Sequence, residues 1–152
     1  MSSWRQQALI EAPVAEVWSV LTDPARGPEW DPDVLAVTGA PTKIEKGSTF
    51  DVTGRGPLGL KATTTFKVVE LDDLHELKMK CQFSGFYSHW LLTEAQDGTF
   101  AEVELGIEPL ASKSPRARAA GVLHTKSYLR REVEKMLDGL RRAVSRSPAA
   151  PS

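Results

Sequence analysis

Apolar and polar residues alternate along the middle of the chain, from Val34 to Glu108. An alternation of period two is typical of strands that bury one face and expose the other. It is interrupted by short segments rich in glycine, aspartate and serine, which are typical of turns. These segments are Lys46-Gly47, residues 54–59, Asp72-Asp73, Ser84-Gly85 and Asp97-Gly98. The pattern predicts an antiparallel meander of six strands.

The registers of the last four predicted strands follow from the three shortest turns. If each of these is a two-residue hairpin turn, apolar residues face apolar residues across the strands. One predicted row is Phe66, Met79, Trp90 and Leu105, and the next is Val68, Leu77, Leu92 and Val103. The opposite face collects the charged residues Lys61, Lys67, Lys78, Lys80, Glu102 and Glu104. A slip of one residue would exchange the two faces, so the agreement between three hairpins supports the meander.

One further strand and three helices flank the meander. Ser3 to Ile10 alternate like a strand, and Pro13 to Leu21 show the spacing of a short amphipathic helix. A second short helical piece ends near Trp30. A serine cap followed by proline, Ser114-Pro115, begins a long helix that we expect to reach about Val144. Its predicted buried stripe consists of Val122, Leu129, Val133, Met136, Leu140 and Val144.

The size and composition indicate one globular domain. The chain has 152 residues, of which 41% are hydrophobic and 26% charged, which is ordinary for a folded domain. We expect the domain to span residues 1–145 and a disordered tail to follow at 146–152. The single cysteine, Cys81, excludes an internal disulfide and a multi-cysteine zinc site. With no signal-like or membrane-spanning segment in the sequence, we expect a cytoplasmic protein.

The charge is unevenly distributed, although the formal net charge is only −1. The segment from residue 112 to the end is strongly basic, and the segment before it is acidic. A basic segment can bind nucleic acid or an anionic membrane surface. The alternative, which we favour, is a solvated helix face lying against an acidic sheet, since no aromatic residues interleave with the charges. We therefore expect no nucleic-acid partner and no integral membrane association.

The order of elements predicts an α+β fold in which the sheet buries one face against the long C-terminal helix. In it a seven-stranded curved antiparallel sheet, with two short helices after the first strand, wraps around the long C-terminal helix. The sequence resembles the polyketide cyclase/dehydrase and lipid-transport family of the START-related helix-grip superfamily. The resemblance rests on "IEAPVAEVWSVLTDPARGPEWDPDV", on the "GT" in "EAQDGTFAEVEL" and on "LRREVEKMLDGLRRAV". These motifs mark a fold, not a catalytic site.

The resemblance implies a deep hydrophobic cavity between the sheet and the long helix. Relatives use such a cavity to bind lipids, hormones or polyketide intermediates, and some are cyclases or dehydratases. Our first hypothesis is therefore the binding of a small hydrophobic ligand, lipid-like or aromatic. The alternative is a polyketide cyclase or dehydratase acting in the same cavity. We expect no cofactor and no metal, and the family offers no catalytic residue set to carry over.

The candidate cavity residues come from the inward face of the strands and from the helices. They are Trp30, Phe50, Thr64, Phe66, Met79, Cys81, Phe83, Ser88, Trp90, Leu105, Val122, Lys126 and Leu129. Small polar groups among aromatic side chains are how an apolar pocket orients a ligand. The hydroxyls could equally bond locally, and a lone cysteine is usually a buried hydrophobe.

Lys126 lies within the apolar arc of the long helix, where it could meet a carboxylate or enolate on the ligand or extend its ammonium into water. Trp30 could close over a ligand or fix its helix to the sheet. His75, between Glu70 and Glu94, is predicted to belong to a solvated charge cluster. His89, opposite Lys80, and His124 are predicted to be surface residues.

Overall fold

The computed structural model describes residues 3–108 and 114–146. The strands are β1 (Ser3–Ile10), β2 (Val34–Thr38), β3 (Thr49–Arg55), β4 (Lys61–Asp72), β5 (Glu76–Cys81), β6 (Phe86–Ala95) and β7 (Gly98–Ile107). The helices are α1 (Val14–Leu21), α2 (Gly27–Trp30), α3 (Pro115–Val122) and α4 (Lys126–Arg146), with 3-10 turns at Pro24–Arg26 and Pro57–Gly59. Arg146, the first residue of the predicted tail, still belongs to α4, and the rest of that tail lies outside the described residues.

The sheet consists of the predicted antiparallel meander with the first strand added at one edge. Its order is β1-β7-β6-β5-β4-β3-β2, so consecutive strands from β2 to β7 are neighbours and β1 pairs with β7. Residues facing α4 are buried, and Val68, Leu77, Trp90 and Val103 are completely inaccessible. The predicted α+β helix-grip fold is therefore confirmed.

The predicted faces of the strands are correct, but the predicted partners are wrong. Phe66 lies opposite Cys81, Met79 opposite Ser88, and Trp90 opposite Val103. Each register is displaced by two residues, and β4 adds a bulge after Val68. A displacement of two keeps each side chain on its face.

The turns explain the displacement. The β6–β7 turn consists of Gln96 and Asp97, because Gly98, with a φ of 146°, already begins β7. The β4–β5 turn has three residues instead of two, with Leu74 at a φ of 62°. Dipeptide signals locate a turn but do not fix which two residues form it.

The predicted single C-terminal helix is interrupted. Helix α3 ends at Val122 and α4 begins at Lys126. The Thr125 hydroxyl accepts a hydrogen bond from the Tyr128 amide at 3.2 Å, which is the geometry of an N-cap. The interruption changes the helical phase, so Val122 leaves the buried stripe that continues from Leu129.

Helix α4 packs against β1, β7, α1 and α2. Its buried side chains include Leu129, Val133, Met136, Leu137, Leu140, Ala143 and Val144. Gly139 allows the closest approach, because a Cβ there would lie 1.7 Å from the Trp30 carbonyl oxygen. The contact fixes α2 against α4 and places the residues that follow Trp30 beside the helix.

Candidate functional site

A cavity of about 750 Å³ lies between the sheet and the helices. Strands β2 to β6 form one wall, and α2, α4 and the α3–α4 corner form the other. The strand wall is mainly apolar, with Phe50, Phe66 and Met79 near its centre and the smaller Thr64 and Ser88 between them. Such a volume and lining are typical of a small-molecule site.

The structure brings most of the predicted cavity residues together. Those lining the cavity are Trp30, Phe50, Thr64, Phe66, Met79, Cys81, Phe83 and Ser88. The Cys81 thiol is buried, and Trp30 packs edge-on against Trp90 with 5.7 Å between ring centroids. Trp30 therefore both lines the cavity and anchors α2 in the core.

Five predicted residues lie elsewhere. Trp90, Leu105 and Leu129 are inaccessible core residues outside the cavity lining. Val122 is 78% exposed at the end of α3, and Lys126 is exposed at the first residue of α4. The interruption of the helix accounts for the last two, because the expected apolar arc assumed one continuous helix.

His124 is the clearest error of the sequence interpretation. It is buried at the α3–α4 corner and lines the cavity. Its ring stacks on Phe86 at 5.1 Å and meets the edge of Tyr128 at 5.4 Å. The prediction of a surface position again assumed an unbroken helix.

The other two histidines lie outside the cavity lining. His75 is exposed, and its Nδ1 lies 3.0 Å from the Leu92 carbonyl oxygen. His89 lies opposite Lys78, not Lys80, and its Nε2 is 2.7 Å from Glu76.

A cluster of carboxyl groups at the cavity wall was not predicted. Asp31 and Asp33 follow α2, and Glu132 projects from α4, with all three carboxyl groups within 4.8 Å of one another. The Lys135 ammonium lies 2.9 Å from Asp33 and 2.8 Å from Glu132. That ammonium already supplies the positive charge that a metal ion would bring, so the arrangement is an internal ion-pair cluster.

The cluster keeps one proton at neutral pH. Burial and the hydrogen bond with Asp33 raise the pKa of Glu132 to about 8. Burial alone would raise the pKa of Asp33, but the hydrogen bond from Glu132 and the ion pair with Lys135 outweigh burial, so the pKa of Asp33 is lowered. The two opposite shifts assign the proton of this pair to Glu132, which then donates a hydrogen bond to the Asp33 carboxylate.

Asp31 has a different environment. Burial raises its pKa to about 6, while its carboxylate accepts a 3.0 Å hydrogen bond from the Asp33 amide. Within the described part of the chain Asp31 makes no salt bridge. At neutral pH the cavity wall thus carries a proton donor and an ionised acceptor, the pairing that general acid–base chemistry requires.

Tyr128 lies beside the cluster and also lines the cavity. Burial raises the pKa of its hydroxyl, and the negative charge that Glu132 acquires at alkaline pH raises it further. The hydroxyl therefore stays protonated and can act as a hydrogen-bond donor within the cavity.

The sequence held one signal for this cluster. Glu132 occupies a position of the apolar stripe of α4, next to Val133 and one turn from Leu129 and Met136. A carboxyl in such a stripe needs a partner or a proton. Asp31 and Asp33 directly follow the predicted helix that ends near Trp30, and nothing in the sequence shows that they meet Glu132.

The part of the chain that the structure describes contains no helix long and apolar enough to cross a bilayer.

Comparisons with known proteins agree on the fold. A family model described as polyketide cyclase / dehydrase and lipid transport matches residues 1–145. A START superfamily protein from Mycobacterium smegmatis is 14% identical, with a TM-score of 0.73 over 96% of this chain and 99% of that one. An AHSA1-like protein from Aeromonas hydrophila is 17% identical, with a TM-score of 0.64 over 99% of both chains. A protein from Nitrosomonas europaea is 14% identical, with a TM-score of 0.73 over 97% of both. No curated protein matches the sequence significantly.

Proposed function

The chain belongs to the polyketide cyclase/dehydrase and lipid-transport family, and from this premise we propose that it binds a small hydrophobic molecule between the sheet and α4. The supporting observation is the cavity of about 750 Å³. Ligand sites typically measure about 300–1,000 Å³ and combine apolar walls with a few polar groups. The ligand class is lipid-like or aromatic and polyketide-like.

The polar groups of the cavity lie on different walls. Thr64, Cys81 and Ser88 lie on the strand wall, whereas Asp31 and Glu132 lie on the helix side. A ligand with an apolar body and a hydroxyl or keto group satisfies both walls. An anionic head group is disfavoured beside the carboxyl cluster, because like charges repel.

The test is native mass spectrometry of the purified protein, followed by thermal shifts against lipids, fatty alcohols and polyketide-like aromatic compounds. Ligand at about a hundredfold excess over Kd should stabilise the protein by about 2.7 kcal/mol. The cavity variant is Thr64→Trp, whose indole would occupy the ligand volume. Its matched control is Thr49→Trp on the exposed face of β3.

We expect Thr64→Trp to abolish the shift and Thr49→Trp to retain it. An equal shift in both variants would place the ligand outside the cavity. The absence of any bound mass and of any shift across the panel would contradict the proposal.

A second candidate function, favoured by the carboxyl cluster, is a dehydratase-type reaction in the same cavity. The protonated Glu132 would give its proton to a departing hydroxyl, and the ionised Asp31 would remove a proton from the adjacent carbon. The C–O bond breaks, a C=C bond forms and water leaves. The raised pKa values, about 8 for Glu132 and about 6 for Asp31, favour Glu132 as the proton donor and Asp31 as the acceptor at neutral pH.

The two functions are separated by Glu132→Gln, which keeps the shape of the protonated acid but cannot donate its proton. If the protein is a carrier, Glu132→Gln should keep the ligand-induced thermal shift. If it is an enzyme, the variant should keep the thermal shift but lose turnover of the bound β-hydroxy compound. The wild-type kcat/KM should then rise near pH 6 and fall near pH 8. Turnover that survives Glu132→Gln would exclude this acid.

A further inference from the structure

The opening of the cavity is marked by lining residues that are also exposed to solvent. Leu60, Phe83 and Leu123 meet both conditions. They lie on three separate segments, namely the β3–β4 loop, the β5–β6 loop and the α3–α4 corner. These segments therefore border the mouth.

The mouth is surrounded by large apolar side chains. Leu58 neighbours Leu60 in the β3–β4 loop and is 80% exposed, and Val122 precedes Leu123 and is 78% exposed. We call these five residues the apolar rim: Leu58, Leu60, Phe83, Val122 and Leu123. Single exposed apolar residues are ordinary, but a group around one opening is typical of an interaction surface.

Cations accompany the apolar rim. Arg55 and Lys61 form a register pair at the base of the β3–β4 loop. Arg116 and Arg118 on α3 and Lys126 at the start of α4 are exposed. Within residues 3–108 and 114–146, none of the five makes a salt bridge within 4.0 Å.

Acidic residues are absent from the sequence around both segments. There is no Asp or Glu between residues 52 and 69, nor between residues 109 and 131. Arg116, Arg118 and Lys126 thus have no acidic neighbour in the sequence. The rest of α4 carries further cations, but together with carboxylates such as Glu134 beside Arg130.

We propose that the apolar rim docks on an anionic lipid bilayer. Apolar side chains that insert at the level of the headgroups, together with Lys and Arg side chains that meet anionic lipids, are the two requirements of interfacial binding. Nucleic acid would bind the cations, but it offers no apolar phase into which the exposed leucines of the β3–β4 loop could insert. The docked orientation turns the cavity mouth towards the membrane, which goes beyond ligand binding as such.

The test is flotation of the purified protein with vesicles of phosphatidylcholine alone or of an equimolar phosphatidylcholine–phosphatidylglycerol mixture. We expect binding to the mixed vesicles that is about tenfold or more tighter than to phosphatidylcholine and weakens with salt. Leu58→Asp should lower the affinity for mixed vesicles by about tenfold or more, since it removes an inserting side chain and adds an anion.

Leu74→Asp is the matched control. Leu74 is also an exposed leucine with a positive φ, 62° against 66° for Leu58, and it lies at the other end of β4. Aspartate tolerates this conformation better than most residues, so both variants should fold with unchanged Tm. Equal losses in the two variants, or equal binding to both vesicle types, would overturn the proposal.

Two further measurements keep the docking separate from the cavity. Binding of a soluble hydrophobic ligand without vesicles should be the same in Leu58→Asp and wild type, so failure of either property leaves the other intact. Capture by a DNA duplex with the same affinity in Leu58→Asp and wild type, without vesicle binding, would replace the bilayer by nucleic acid.

Discussion

Replacing Glu132 by glutamine should remove a pH dependence of stability that the wild-type protein has at neutral to alkaline pH. Glu132 is only 7% exposed and its pKa is raised to about 8, mainly by burial. Glutamine resembles the protonated acid and can still donate a hydrogen bond to Asp33. We therefore expect the stability advantage of Glu132→Gln over the wild type to be smallest at about pH 4, below the unfolded pKa, and to grow as the pH rises to about 9.

The sign and size of this pH dependence of the free energy of unfolding follow from proton linkage. A group whose pKa is raised by folding stabilises the folded state fully below its unfolded pKa, and the contribution is lost as pH rises through the folded pKa. For folded and unfolded pKa values of about 8 and 4.5, the free energy of unfolding falls by about 2–3 kcal/mol between about pH 6 and pH 9. Asp31, with a pKa raised to about 6, titrates mainly at the acid end of this interval.

The assay is urea unfolding followed by tryptophan fluorescence at several pH values, with the free energy taken by linear extrapolation. The control is Glu134→Gln, a change at an exposed carboxylate on the same helix that should leave the wild-type pH profile unchanged. Parallel profiles for wild type and Glu132→Gln would refute the assignment of a neutral, buried Glu132.

Two further predictions concern packing and ionisation. Gly139→Ala should lower the free energy of unfolding by about 2 kcal/mol, because its Cβ would lie 1.7 Å from the Trp30 carbonyl oxygen. The control is Gly56→Ala, whose Cβ meets nothing closer than 3.9 Å. In thermal unfolding this control should stay within about 0.5 kcal/mol of the wild type. In an alkaline absorbance titration the two tyrosines should ionise well above the usual pKa of about 10. The reason is that burial raises the pKa of Tyr87 to about 12 and also raises the pKa of Tyr128. Tyrosinate absorbance at about pH 10 in the folded protein would contradict this prediction.

The sequence predicted which face of the sheet each strand residue occupies better than it predicted the cross-strand partner of that residue. Alternation of apolar residues assigns Met79 and Trp90 to the inner face, and this holds whether Met79 pairs with Trp90 or, as found, with Ser88. Burial depends on the face alone, so the energy that shapes the pattern is insensitive to a displacement of two residues. Pairing depends on turn geometry, which a dipeptide such as Asp97-Gly98 does not specify fully.

The helix was misjudged for a related reason. Prediction extended one buried stripe from Val122 to Val144, although Gly121 directly precedes that range and the capping residue Thr125 lies within it. A glycine followed by a threonine cap is a signal to end one helix and begin another. The consequence was functional as well as structural, since the corner brings His124 to the cavity and Val122 to the apolar rim.

The carboxyl cluster shows what an isolated sequence can and cannot indicate about a site. An ionised carboxylate is too costly to bury without compensation, so Glu132 within the apolar stripe of α4 already implied a proton or a partner. The sequence could not identify the partner, because Asp33 lies 99 positions away along the chain. Both forms of compensation apply in the cluster, because the raised pKa of Glu132 keeps a proton on that carboxyl and Lys135 forms an ion pair with Asp33. A polar residue in a buried stripe is therefore a better indicator of a site than any histidine of this chain, because its burial requires an explanation that packing alone does not supply.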